Sequence, residues 1–229
     1  MYSKNKKILI VAAHPDDEIL GCGATAARLI KEGNSVFTLI LGEGTTSRDK
    51  TRNRRKRNKE LLEMKEQSKR ANRIIGIKYV FFCDLPDNRF DSRPVLDIIK
   101  IVESVKNKIK PDIIYTHCAK DLNIDHRITY SAVLTACRPV REENVKEIYG
   151  FEIPSSSEWN YPHVFNPNMY VDISDTLELK IKALRCYKGE IREFPHPRSE
   201  ESVRNIAKRW GSVAGLYSAE AFEVTRTIV

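Results

Sequence analysis

The sequence predicts an α/β fold in which a mostly parallel sheet is covered by helices on both faces. Three observations support this prediction. Apolar runs of strand length alternate with segments of helical periodicity along the chain, helix stop signals separate them, and polar residues gather where the predicted strands end. Strand–helix alternation favours a parallel sheet, because parallel neighbours need a crossover that is usually helical. With 229 residues, of which 41% are hydrophobic, the chain is large enough for one substantial core.

Apolar runs mark the strands of the first part of the chain, and apolar residues at helical spacing mark its helices. Gly33 and Gly76 each end a helix, and Pro111 precedes a strand. In chain order, the predicted elements are a strand at 7–13, a helix at 18–32, a strand at 35–41, a helix at 58–75, a strand at 78–82, a helix at 94–109, a strand at 112–116 and a helix at 125–137.

The alternation loosens in the second part of the chain. We predict strands at 146–152 and 168–173, helices at 174–187 and 200–210, and a loop over the FPHPRS segment at 194–199. Trp159 and Tyr161 are interpreted as core residues that cover the edge of the sheet, with a sugar-stacking surface as the alternative. The sequence has no internal repeat and no low-complexity linker, so residues 1–229 are expected to form a single domain.

Composition excludes several classes of protein. The five cysteines are odd in number and contain no CxxC pair, which argues against a disulfide framework and a four-cysteine zinc site. No apolar stretch approaches the roughly 20 residues of a membrane span, and no signal peptide is recognised, so a cytoplasmic protein is expected. Eight Lys or Arg residues fall within 48–59, but no nucleic-acid-binding motif accompanies them. This run is interpreted as a solvated loop, or as a contact for an anionic substrate.

The first predicted strand ends in His14, Pro15, Asp16 and Asp17. A capped helix with proline at its first position and acids in its first turn would explain part of this pattern, but it would not explain the histidine. The fourth predicted strand ends at His117 and leads to Asp125 and His126. Because parallel strands end at one edge of a sheet, these groups are expected to lie close together.

Imidazole and carboxylate groups are suitable ligands for zinc, and a catalytic zinc site takes three protein ligands and leaves one position open. His14, Asp17 and His126 supply such a set, and Asp16 is free to act as a general base. Iron can share these ligands, so Fe²⁺ is the alternative metal. His126 alone would be better explained as a residue in the first turn of a surface helix, and the metal-ligand interpretation depends on the second histidine and the acids at the same sheet edge.

The motifs AHPDDE at 13–18 and DLNIDHR at 121–127 resemble those of the PIG-L/LmbE-like family of zinc-dependent N-acetylglucosaminyl deacetylases. The resemblance implies a Rossmann-like three-layer α/β/α fold. It also implies that His14, Asp17 and His126 hold the metal and that Asp16 is the general base. The implied reaction is hydrolysis of the N-acetyl group of an amino sugar or its conjugate.

The sequence departs from this family pattern at two points. Asn123 stands where relatives often have a histidine, so the acid that protonates the leaving amine is unassigned. His196 in the FPHPRS loop is the leading candidate for that acid, with a purely packing role as the alternative, and His117 and His163 are weaker candidates. Relatives often hold the sugar with an arginine after the second strand, and here five are available: Arg48, Arg52, Arg54, Arg55 and Arg57.

The sequence therefore predicts a zinc hydrolase acting on a small-molecule N-acetyl amino sugar, and the basic run suggests that this substrate is anionic, such as a nucleotide-linked sugar. Two alternatives remain open. One is a metal-dependent amidase or esterase on a non-sugar substrate, and the other is a metal-free sugar- or nucleotide-binding module that keeps only the fold. No nucleic-acid partner and no membrane span are expected, and a homo-oligomer remains open.

Overall fold

The computed structural model describes residues 5–163 and 165–229. Within these residues, seven strands form one sheet in the order β3-β2-β1-β4-β5-β7-β6. Neighbouring strands from β3 to β5 pair in parallel, and β7 is antiparallel to both of its neighbours. The strands are β1 (Lys7–Ala12), β2 (Ser35–Gly42), β3 (Val80–Leu85), β4 (Ile113–His117), β5 (Glu147–Phe151), β6 (Met169–Asp172) and β7 (Ala219–Thr227).

Helices cover both faces of the sheet, which confirms the predicted three-layer α/β/α architecture. Ile8 and Ile10 of β1 pack into one core cluster, while Leu9 and Val11 pack into the other, as strand alternation requires. Helices α1, α2, α5 and α6 contribute to the first cluster, and α3 and α4 contribute to the second. The helices are α1 (Asp17–Lys31), α2 (Asn58–Ile75), α3 (Val95–Ile109), α4 (Ile124–Ala136), α5 (Leu177–Leu184) and α6 (Glu200–Ala214).

Strand β7 was not among the sequence predictions, and it changes the architecture of the second half of the chain. It lies between β5 and β6, with Phe222 in register with Phe151 on one side and with Met169 on the other. It follows α6 in the chain, but strand–helix alternation favours parallel neighbours and therefore does not predict its antiparallel direction. Helix α5 is also shorter than the predicted helix at 174–187.

The order of the strands determines where a binding crevice forms. The chain runs from β1 to β2 and β3 on one side, then returns to β4 on the other side of β1. Loops after β1 and β4 therefore diverge next to each other at the carboxyl edge, where doubly wound sheets bind ligands. None of the helices in the described ranges combines the length and apolarity required to cross a bilayer.

Helix α1 is broken near its middle by Cys22, whose φ of −148° and ψ of 22° are not helical. The break frees backbone groups, and side chains from elsewhere satisfy them. The carboxylate of Glu220 accepts hydrogen bonds from the backbone N–H groups of residues 24 and 25. Lys180 donates to the carbonyl oxygen of Leu20 and to Glu220, at 2.6 Å in each case. This buried ion pair supports the helix that presents the HPDD turn.

Candidate functional site

The turn between β1 and α1 holds Asp16 in a strained backbone conformation. Asp16 occupies the N-cap position of α1 with φ 110° and ψ −30°, and its side chain makes no capping hydrogen bond. A non-glycine residue in such a region costs on the order of 1–3 kcal/mol and persists only where the surroundings enforce it. The consequence is that the Asp16 carboxylate lines a cavity at the carboxyl edge of the sheet and does not cap its own helix.

The structure brings the three predicted metal ligands together. His14, Asp17 and His126 are buried, and each offers a ligand atom within 4.8 Å of the others. Asp17 Oδ2 lies 3.4 Å from His14 Nδ1 and 3.3 Å from His126 Nε2. Ligand atoms around a tetrahedral zinc at 2.0–2.2 Å are about 3.4 Å apart, so these separations fit. Asp17 Oδ1 is buried without a hydrogen-bond partner, which leaves an oxygen available for a cation.

Two further carboxylates face the remaining nitrogens of these histidines. Asp125 Oδ2 lies 3.0 Å from His14 Nε2, and the other oxygen of Asp125 accepts a hydrogen bond from the Phe90 N–H at 2.9 Å. Asp121 Oδ1 lies 3.1 Å from His126 Nδ1, without hydrogen-bond geometry. Carboxylates behind ligand histidines fix the tautomer and orientation of the ring. No role was assigned to Asp121 in the sequence analysis.

The electrostatics of this cluster favour positive charge. Burial lowers the pKa of His14, but hydrogen bonds to Asp125 and Asp17 outweigh it and raise that pKa well above its usual value. Burial likewise opposes the charged form of His126, but the charge of Asp17 is the main influence that raises its pKa to about 8. Burial raises the pKa of Asp17, and the influence of His126 outweighs it and lowers that pKa well below its usual range. The donor set therefore fits a cation.

Arg198 is the residue that holds the Asp16 side chain. Its Nη1 donates a 2.7 Å hydrogen bond to Asp16 Oδ2, and its Nε donates to Ser155 Oγ at 2.8 Å. Burial raises the pKa of Asp16 well above its usual range, and the Arg198 charge opposes that rise. The sequence reasoning singled out the FPHPRS loop for its histidine and missed its arginine. Arg198 lies 182 positions from Asp16, and no local pattern links the two.

Asn123 lies at the start of α4 and borders the cavity. Its Oδ1 accepts a hydrogen bond from the Asp125 N–H at 2.8 Å, which caps the helix. Its Nδ2 donates to Asn88 Oδ1 at 2.7 Å, so one amide hydrogen of Asn123 is used and a second is available.

The histidines considered as proton donors do not line the cavity. His196 Nδ1 accepts a hydrogen bond from the Arg198 N–H at 3.1 Å, and its ring meets Trp159 edge-on at 5.7 Å. His117 is fully buried, stacks on His126 at 4.0 Å and accepts a hydrogen bond from the Ala13 N–H, just after β1. His163 is exposed. Within the described ranges, none of the three borders the cavity beside Asp16, and the acid role of His196 stays a prediction.

The cavity has a volume of about 270 Å³. Its buried lining residues include His14, Asp16 and His126, and this part is called the inner end. Its half-buried or exposed charged residues, called the outer wall, are three arginines and one glutamate: Arg48, Glu190, Arg192 and Arg198.

The basic run at 48–59 is largely neutralised by acidic residues of the same sheet edge. Arg52 donates to both carboxylate oxygens of the buried Glu43, at 2.7 and 3.0 Å, and Arg54 approaches Glu43 at 3.0 Å. Arg57 pairs with Asp49 at 2.8 Å. These contacts anchor the loop. Of the five candidate arginines, Arg48 is the one that lines the cavity.

The interpretation of Trp159 and Tyr161 as core residues is wrong. They are 44% and 81% exposed, on a loop beside the cavity. The sheet edge that they were expected to cover is instead extended by β7 and β6, which pair beyond β5. Trp159 instead meets the ring of His196 edge-on at 5.7 Å, at the surface.

The comparisons with known proteins agree with this arrangement. Residues 9–137, more than half of the chain, match the GlcNAc-PI de-N-acetylase (PIG-L) family. The chain is 31% identical over 193 residues to the uncharacterized deacetylase YaiS of Escherichia coli (strain K12), covering 82% of this chain and 93% of that protein. It is 28% identical over 223 residues to the diacetylchitobiose deacetylase of Thermococcus kodakarensis, covering 94% and 81%.

The structure is also similar to that of GalB, the 4-carboxy-2-hydroxymuconate hydratase of Pseudomonas putida KT2440, with a TM-score of 0.78, 20% identity and 98% coverage of both chains. At that identity the likeness shows the fold alone, and the fold occurs in a hydratase as well as in deacetylases, so the reaction must be argued from the site. The family match and the identity to YaiS show that this chain belongs to the PIG-L family of de-N-acetylases.

Proposed function

We propose that this protein is a metal-dependent hydrolase that removes the N-acetyl group from an amino sugar or a sugar conjugate. One observation carries the proposal: three buried groups that can hold a metal lie together, and two of them, His14 and His126, line the same cavity as the strained Asp16. The deacetylases named among the relatives support an amide as the bond that is cleaved. The reaction on this chain's own substrate is our inference.

His14, Asp17 and His126 would hold the metal, which we propose to be Zn²⁺, with Fe²⁺ as the alternative. A metal ion bound there would polarise the acetyl carbonyl group and lower the pKa of an attacking water to about 7. Asp121 and Asp125 would keep the two imidazoles oriented through their outer nitrogens.

Asp16 is the proposed general base. Its carboxylate lines the cavity, and Arg198 fixes its position through a 2.7 Å hydrogen bond. Asp16 would take a proton from the water that attacks the acetyl carbon and would then give that proton to the departing amine. This return of the proton needs no second acid, which accounts for a site in which asparagine occupies position 123. Delivery by His196 is the competing route, and it would require the FPHPRS loop to bring the ring to the amine.

Asn123 is the proposed hydrogen-bond donor to the acetyl oxygen. Its second amide hydrogen is available, because Asn88 accepts only one. A fixed neutral donor of this kind stabilises the negative charge that develops on the oxygen during attack, without supplying a proton.

Acetate release tests the proposal. Purified protein supplied with zinc is incubated with N-acetylglucosamine, its phosphorylated and nucleotide-linked forms, and N-acetylated non-sugar amides and acetyl esters. We expect acetate from at least one sugar and little from the non-sugar compounds. Asp16→Asn should lower the turnover rate by at least 100-fold, the lower end of general-base contributions. Asp97→Asn, which alters an exposed aspartate on α3, is the matched control.

Acetate or alcohol release from the non-sugar compounds alone would instead support the amidase or esterase alternative. Sugar binding without turnover and without stoichiometric metal would support the binding-module alternative. Wild-type turnover by His196→Ala would remove that histidine from the reaction.

A further inference from the structure

We propose that Arg192 and Arg48 form an anion-binding subsite in the outer part of the cavity. It would hold a phosphate or carboxylate group on the part of the substrate that lies beyond the N-acetylated sugar. The inference rests on the proposed function for the orientation of the substrate, but the anion site itself rests on the charges that line the cavity.

Charge is segregated along the cavity. The inner end contains Asp16 and Asp87 as lining residues, with Asp17 directly behind His14. The outer wall contains the three guanidinium groups and Glu190. The guanidinium groups of the outer wall attract an anionic group, whereas the proposed metal ligands and base at the inner end would act on the acetamide. A substrate that carries both groups is therefore held in one orientation.

Arg192 is the cation of the outer wall that lacks a partner. Arg198 is committed to Asp16, and Arg48 forms an ion pair with Glu190. Across residues 5–163 and 165–229, the Arg192 side chain forms neither an ion pair nor a hydrogen bond, although it is exposed and lines the cavity. A free guanidinium presents two parallel N–H groups, which match the oxygens of a phosphate or a carboxylate.

The carboxylate of Glu190 does not cancel the positive charge of Arg192, because two other arginines already neutralise that carboxylate. Arg48 pairs with one of its oxygens, and Arg198 Nη1 lies 3.5 Å from the other. Arg48 and Glu190 also border a neighbouring cavity of about 150 Å³, which contains Glu60 and Glu63. These two acids disfavour an anion on the far side of Arg48. The anion is therefore expected on the Arg192 side, with Arg48 as its second contact.

The test measures binding of deacetylated sugars, so that it does not depend on turnover. Glucosamine, glucosamine 1-phosphate and an amino sugar bearing a carboxylate are titrated calorimetrically into the wild-type protein, Arg192→Gln and Arg141→Gln. Arg141 is the matched control, because it is an exposed arginine on the loop between α4 and β5, at the opposite edge of the sheet.

We expect the wild-type protein to bind at least one of the charged sugars roughly 10- to 100-fold more tightly than glucosamine, the range for hydrogen bonds to charged groups. Arg192→Gln should lose most of that preference, and Arg141→Gln should keep it. Whichever charged sugar binds more tightly identifies phosphate or carboxylate as the group recognised. Equal binding of neutral and charged sugars, or an undiminished preference in Arg192→Gln, would overturn the subsite.

The two proposals can fail separately. A preference that depends on Arg192, together with no acetate release from any sugar, would support the anion subsite and contradict deacetylation. Acetate release with no preference for charged sugars would support deacetylation and contradict the subsite.

Discussion

Replacing Arg198 with glutamine should shift the pH at which the enzyme becomes active. Arg198 Nη1 lies 2.7 Å from Asp16 Oδ2, and the two side chains are only 21% and 5% exposed. An opposite charge at such a distance lowers the pKa of a carboxylate by about 1 to 3. Its removal should therefore raise the pKa of Asp16 by about that amount, beyond the rise that burial already causes.

The sign of the effect on activity follows from the role of Asp16. A general base works only when it is ionised, so a higher pKa moves the acid limb of the kcat/KM profile to higher pH by the same amount. At pH values below the acid limb of the wild-type profile, the kcat/KM of Arg198→Gln should be about 10- to 1000-fold lower than that of wild type. Each unit by which the pKa of Asp16 rises contributes a factor of ten. At pH values above its new pKa, the variant should recover most of this loss.

The assay is acetate release, followed as kcat/KM from pH 5 to pH 10 on wild type, Arg198→Gln and Arg198→Lys. The lysine variant keeps the positive charge and should shift the limb less than the glutamine variant. Zinc content is measured in parallel, because a variant that has lost metal would be slow at every pH. An acid limb at the same pH in wild type and Arg198→Gln, with full metal content, would refute the assignment of Arg198 and Asp16 as a coupled pair.

Three further substitutions test residues that are expected to stabilise the metal site or the fold around it. Asp121→Asn should weaken zinc binding by about 10- to 100-fold in competition with a chelator, because His126 loses the carboxylate behind it; unchanged affinity would remove Asp121 from the site. Glu220→Gln should lower the free energy of unfolding in urea by about 3–5 kcal/mol, because it leaves Lys180 buried without its partner. The double variant that also carries Lys180→Met should lose less free energy of unfolding than the two single variants lose in sum. Gly21→Ala should cost about 1–3 kcal/mol in the same assay, because its new methyl group would lie 2.3 Å from an aromatic carbon of β5; wild-type stability would contradict that packing.

The sequence was sufficient to predict the elements that carry a strong local signal. Helix α2 has the predicted bounds, and Gly76 at its end adopts a φ of 99°, as a left-handed cap requires. His14, Asp17 and His126 could be grouped because they follow two strands whose parallel pairing is itself predictable from the alternation. Their proximity also requires β1 and β4 to be neighbours in the sheet, which the structure shows and the sequence did not predict.

Features that depend on contacts between distant segments were not predictable. Strand β7 pairs with β5 across about 70 residues, and its short AEAF segment gives no sign of its position between β5 and β6. Arg198 meets Asp16 only because the loop before α6 folds over the cavity. The exposure of Trp159 was also not predictable, because its ring meets His196 of a distant loop.

The basic run at 48–59 shows a different limit to what sequence composition can predict. Its composition suggested an anionic partner, but most of its guanidinium groups pair with acids of the protein itself, as Arg52 does with Glu43. Among the arginines that line the cavity in the described part of the chain, Arg192 is the unpaired one, and the sequence has no cluster there to indicate it. Charge counting along the sequence therefore located a structural network and one arginine of the candidate anion site, Arg48, and missed the other.

Metal content of the purified chain tests the central claim most directly. The protein is stripped with a chelator, dialysed against zinc and assayed by mass spectrometry, alongside Asp17→Ala and Asp16→Asn. We predict one zinc per chain in wild type, its loss in Asp17→Ala, and full occupancy without turnover in Asp16→Asn. A wild-type protein that binds no metal, or an Asp17→Ala variant that binds zinc as tightly as wild type, would contradict the account.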